Sequence, residues 1–202
     1  MTHDYEYLKM IVYIVLFLII PGPTNTLLLC SSYTHGFIRS TKLILSEWMG
    51  YLLAVTAWGL FFSYLAPHGG LMLGVIKLFS AFYVVYLAIK VWRFSFHQIN
   101  GSITSGAVFI TTLLNPKAFL FADSVIPPSA FIYLDSYLHA MGGVLLALFP
   151  VSFMWLYAGT LISLGDTSPR RRVKPTLFYR GASLIISLFA ASMFYQSASM
   201  LL

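Results

Sequence analysis

Few ionisable side chains in this chain stand where they can do chemistry inside an apolar environment. Lys117 belongs to Asn115-Pro116-Lys117, roughly midway along one apolar run, and Glu47 belongs to Ser46-Glu47-Trp48-Met49-Gly50, about one turn inside another. An ammonium near a bilayer centre costs about 2.5 to 3.5 kcal/mol on insertion scales, so Lys117 must face a partner or a wet cavity. There it can receive an anion, or neutralise a carboxylate, or bind backbone carbonyls from a second break in the chain. Glu47 can receive a substrate ammonium or carry a coupling proton, and it can equally pair with Lys42 or Arg39 at the interface. Lys77, about two turns into a third run, can snorkel outward or pair with Asp123 near the end of the fourth, and the pair reads first as structural and second as a proton relay. The rest excludes more than it offers. Cys30 is the single cysteine, so an internal disulfide, a dithiol pair and a cysteine-rich metal site are ruled out. His3, His35, His68, His97 and His139 are scattered at loops and run ends without metal-ligand spacing, and neither a metal nor a cofactor is expected. No nucleophile elbow, Walker loop or zinc-protease motif occurs, which argues against an enzyme and against an ATP-driven machine.

The elements that must position these residues follow from composition. The chain has 202 residues, 59% hydrophobic and 9% charged, far from the balance of a soluble domain. It reads as one integral membrane domain spanning 1–202. Apolar runs place spans at about Leu8 to Leu29, Leu43 to Ala66, Leu71 to Trp92, Gly106 to Ile126, Tyr137 to Ser163 and Leu177 to Leu201. Asp4 and Glu6 precede the first and no A-x-A-like site follows it, so it is expected to be retained. The net charge of +6 does not point to nucleic acid. Arg39 and Lys42, then Lys90 and Arg93, then Arg170, Arg171, Arg172, Lys174 and Arg180 lie beside the first, third and fifth connections. Those sides are expected to be cytoplasmic, with both termini outside. Tyr5, Tyr7, Tyr64, Trp92, Tyr133, Tyr137 and Tyr179 fall near span ends as interfacial anchors. Gly142, Gly143 and Gly159 allow close helix approach, and Pro150 is expected to kink the fifth span.

Two of the six spans carry breaks. Pro21-Gly22-Pro23-Thr24-Asn25 interrupts the first and Asn115-Pro116-Lys117 the fourth, and both combine residues that a continuous helix tolerates poorly. The first and fourth spans open two three-span halves, about 1–97 and 98–202, and an odd number of spans inverts one half against the other. Interrupted helices at corresponding positions of inverted repeats point to the site of a secondary transporter. Both half-helices that follow the breaks would begin near mid-membrane with their positive ends towards the centre, a setting for a carboxylate, and Lys117 would add to that field. Asn115 can alternatively cap the half-helix after it.

PGPTN in the first span, GVIKLFSAFYVVYLAIKVWR in the third, LLNPKAFLFA in the fourth, VSFMWLYAG in the fifth and RGASLIISLFAAS in the sixth resemble the lysine exporter family of amino-acid efflux proteins. Within it the chain is most similar to the homoserine and threonine resistance (RhtB) branch. The resemblance implies an all-α exporter of amino acids or close derivatives in the bacterial inner membrane, working as a proton antiporter and assembling as a homo-oligomer. It carries a substrate-binding role onto Pro21, Gly22 and Pro23 and onto Asn115, Pro116 and Lys117. Thr24 stands where the family often has a polar amide or acid, with Asn25 next, and both join the expected site. Glu47 departs from the small or apolar residue expected there. It, Asp123 and Lys77 are the candidates for the ammonium or the proton. Two rival readings stay open. One is transport of another solute, such as a metal ion or organic acid, although only Glu47 and Asp123 offer carboxylates at depth. The other is a non-transporting membrane interaction protein in which both breaks are packed kinks.

Overall fold

Proline lacks the N–H that a continuous helix needs, so the first apolar run folds as two helices. In the computed structural model, which describes residues 2–65 and 103–165 with individual helical positions between 74 and 92 and between 184 and 199, these are α1 (Thr2–Ile19) and α2 (Pro23–His35). They meet at a 58° bend. Pro23 takes the first position of α2, where its fixed φ suits the helix and its missing N–H costs nothing. Gly36 ends α2 with φ of 84°, a conformation that favours glycine, and its N–H reaches Ser32 O at 3.0 Å.

A short helix, α3 (Phe37–Ser40), leads into α4 (Lys42–Leu65). The fourth run again divides, into α5 (Ser105–Leu113) and α6 (Pro116–Leu120), and α6 runs on into a π-helical turn, Phe121–Val125. The bend across this break is 41°. Thr104 caps α5 by accepting from the Ala107 N–H at 3.1 Å. A 3₁₀ turn, Pro128–Phe131, precedes α7 (Leu134–Gly165), which continues through Pro150 as one helix of 32 residues. The described residues hold two helices long and apolar enough to cross a membrane, and two more crossings if each bent pair counts as one. Much of the third and sixth expected spans falls outside the described residues, as do Lys77, Lys90, Arg93, Arg170, Arg171, Arg172, Lys174 and Arg180.

The chain forms two compact units, Met1–Gly59 with Ile99–Val173, and Leu60–Gln98 with Lys174–Leu202, so the units cut across the sequence halves 1–97 and 98–202. In the second, Phe82 and Phe194 meet edge to face with ring centroids 4.9 Å apart. In the first, α1 and α2 run parallel to α7. Tyr7 OH donates to His139 O near the start of α7, and Ser32 Oγ reaches Leu156 O at 2.5 Å and Thr160 Oγ1 at 2.7 Å further along it. α4 runs the other way, pairing Glu47 with Ser152 at one end and Thr56 Oγ1 with Tyr137 OH at 2.8 Å at the other. The broken pairs cross antiparallel: Phe17 of α1 packs edge-on against Phe121, while Thr24 of α2 meets Thr112 of α5. Leu45, Leu53 and Leu60 on α4 and Leu146, Leu161 and Leu164 on α7 stay exposed, a surface suited to hydrocarbon.

Candidate functional site

The end of α1 has a carbonyl problem. The last carbonyls of a helix lack partners, and Pro21 and Pro23 remove two N–H groups that might have reached back. Two side chains supply what the backbone cannot. Asn25 Nδ2 donates to Leu18 O at 2.7 Å and to Ile20 O at 3.1 Å. Lys117 Nζ, arriving from α6, donates to the same two oxygens, at 3.3 Å to Leu18 and more closely to Ile20. An ammonium at the negative end of α1 is also favoured by the helix dipole. Gly22 makes the approach possible, because a Cβ there would lie 3.2 Å from Lys117 Cε and 3.3 Å from Nζ.

The second break is closed from the opposite side. Asn115 Oδ1 accepts from the Lys117 backbone N–H at 3.1 Å, capping α6, whose first residue is Pro116. Its Nδ2 donates to Thr24 Oγ1 and to Tyr51 OH, each at 3.1 Å. Thr112 Oγ1 also lies 3.1 Å from Thr24 Oγ1 and donates to Val108 O at 2.8 Å. Each break is therefore held by residues of the other. The cluster is shut off from solvent, with relative exposures of 0% for Thr24, 2% for Asn25, 2% for Asn115 and 6% for Lys117.

Thr24 faces the other break, whereas Asn25 turns back on its own helix end. Asn115 is both a cap and a cross-link. Lys117 binds carbonyls at the end of α1, which is the carbonyl-binding alternative open from the sequence, and its charge does not sit free beside the helix starts; Asn115 covers the start of α6. Removing the Asn115 amide takes away a cap, one bond across the breaks to Thr24 and one bond to Tyr51 of α4. Asn115→Ala is expected to lower unfolding stability by about 2 kcal/mol, read as a thermal shift of the purified protein.

Glu47 is buried and points away from the interface. Its Oε2 lies 2.5 Å from Ser152 Oγ, whereas Arg39 and Lys42 are exposed and, among the described residues, do not pair with it. Its charge and that of Lys117 influence each other without a direct ion pair among the described residues. Tyr51, one turn on, links the same face of α4 to Asn115. Sequence reasoning missed Ser152, Tyr51 and Thr112. Tyr51 had a usable signal, since it follows Glu47 at i+4.

Asp123 lies elsewhere. On the π-helical turn it accepts from Ser124 Oγ at 2.8 Å and lines an open groove of about 880 Å³ together with Tyr7, Lys9, Asp135 and His139. Among the described residues no three of histidine, cysteine, aspartate and glutamate converge as metal ligands.

The family model for the LysE type translocator matches residues 15–197 of the chain. No curated protein and no solved structure matches it.

Proposed function

Because this chain belongs to the LysE type translocator family, whose members carry small solutes across membranes and are not enzymes, we propose that it exports amino acids or close derivatives in exchange for protons. The observation that carries this reading is the buried Lys117 ammonium resting on the Leu18 and Ile20 carbonyls at a broken helix. A zwitterion carries the same two charges in one small molecule. Its carboxylate can replace the carbonyls as partner of Lys117, and its ammonium can take the carbonyls that Lys117 leaves. The N–H groups at the start of α2, which have no side-chain cap from Gly22, add to the pull on the carboxylate.

Pro21, Gly22, Pro23, Thr24 and Asn25 then form one wall of the path and Asn115, Pro116 and Lys117 the other. Glu47 is the buried acid available to the ammonium or the coupling proton. The closed cluster represents an occluded state, and transport requires Thr24 to part from Asn115 on one side of the membrane at a time. The antiparallel crossing of the two broken runs supports a six-span arrangement of inverted halves. A bacterial inner membrane, both termini outside, the RhtB branch and a homo-oligomer complete the proposal.

The test is efflux from cells preloaded with individual radiolabelled amino acids, with and without the protein. Faster loss of one compound, abolished when the proton gradient is collapsed, is the expected result. Equal efflux of every amino acid and of close derivatives would overturn the reading.

A further inference from the structure

Ser152 has one hydroxyl proton and two oxygen neighbours within bonding distance. Its Oγ lies 2.5 Å from Glu47 Oε2 and 2.9 Å from Leu148 O. If the hydroxyl donates to an ionised Glu47, it has nothing left for Leu148. If Glu47 is protonated, its O–H donates to Ser152 Oγ, the Ser152 O–H donates to Leu148 O, and both short contacts are hydrogen bonds.

The surroundings favour the second arrangement. Glu47 and Ser152 are each 1% exposed, and among the described residues a bare carboxylate there would have one donor for its two oxygens. Among the described residues, the titratable groups coupled to Glu47 are Lys117, from α6, whose charge acts on it, and Tyr51, on its own helix, on which its charge acts. Lys117 is already committed to the Leu18 and Ile20 carbonyls. Tyr51 OH accepts from Asn115.

The geometry points to Glu47 as the carrier of the exchanged proton in this closed state, with Ser152 as the positioning residue that holds the protonated carboxyl between α4 and α7. The inference rests on the exporter reading for its meaning in transport, though not for its chemistry. When the site opens to water, the Glu47 O–H bond breaks, the proton passes to that water and a carboxylate remains. That charge draws the Lys117 ammonium off the carbonyls of the first break. Returning the proton removes the pull, and the ammonium settles back. Proton loss at Glu47 and release of the first break become one event, although the two sit on different elements.

Infrared spectroscopy of the purified full chain reads the protonation directly. At neutral pH the parent is expected to show a carboxylic-acid C=O band that is lost in Glu47→Gln, shifted in Ser152→Ala and restored in Ser152→Thr. The threonine variant keeps a hydroxyl at the same place and guards against a folding defect. A spectrum without a Glu47-dependent band across the pH range in which the protein is folded, or a band that Ser152→Ala leaves unmoved, would overturn the inference. Export by the same parent chain is measured separately. The expected band in a protein that exports no amino acid would fault the exporter reading and leave the Glu47–Ser152 assignment standing.

Discussion

Lys117→Met is expected to abolish export while the protein still inserts and accumulates at the parental level. Methionine keeps the length and apolar stem of lysine but removes the charge, so packing along α6 is retained. The Leu18 and Ile20 carbonyls are not stranded, because Asn25 Nδ2 reaches both. What disappears is the ammonium that would meet a substrate carboxylate. A hydrogen bond to a charged group is worth about 1.5 to 3 kcal/mol, and losing it from the rate-limiting state slows transport on the order of a hundredfold. Efflux at matched abundance measures this, and unchanged efflux would remove Lys117 from the mechanism. The double variant Asn25→Ala, Lys117→Met should behave differently. With both donors gone, the end of α1 keeps unsatisfied carbonyls in a buried site, and the loss of stability should exceed the sum of the single effects.

Gly159→Leu is expected to prevent the first unit from forming. A Cβ at this position in α7 would collide with the Leu29 carbonyl oxygen of α2, and the obstacle is backbone, which cannot rotate aside as a side chain does. Overpacking of this kind costs about 1 to 3 kcal/mol where neighbours can adjust, and more where they cannot. α2 also carries Thr24 and Asn25, so displacing it disturbs the first break as well. Gly142→Ala is the matching control, since a Cβ there meets nothing within 4 Å and alanine's helix preference should leave stability unchanged or raise it by up to about 1 kcal/mol. Thermal melts in detergent should separate the two, and a Gly159→Leu protein that melts like the parent would contradict the α2–α7 contact.

The breaks were legible because their cause is local. A proline lacks an N–H wherever it stands, and the bends fall at Pro21 to Pro23 and at Asn115 to Pro116. α4 and α7 likewise follow their apolar runs to within a few residues of the expected ends. The first helical run outlasts its apolar stretch, because apolarity and helix length are different properties. α2 continues past Leu29 to His35, where Gly36 stops it, and Ser31 and Ser32 are polar yet buried, the latter bonded to α7.

The partners inside the site were less legible. Lys42 and Arg39 are near Glu47 in sequence, and proximity made them natural partners. The helix phase instead turns Glu47 inward while Leu45 and Met49 face out, and its bond goes to Ser152, 105 positions away. No local pattern encodes such a contact. The glycines show the same limit: Gly142, Gly143 and Gly159 read alike in sequence, whereas Gly159 meets backbone, Gly143 meets flexible side-chain ends and Gly142 meets neither.

The claim on which the account depends is that the contact between Thr24 and Asn115 opens during transport. Thiol labelling tests it most directly, using Thr24→Cys in a chain whose own buried cysteine is removed by Cys30→Ser. The thiol is expected to react with a membrane-impermeant maleimide added from either side, with the favoured side switching when the proton gradient is reversed and with slower labelling in the presence of the exported amino acid. A thiol that stays unlabelled from both sides while the protein remains folded and exports its substrate would contradict the account and place the path away from the two breaks.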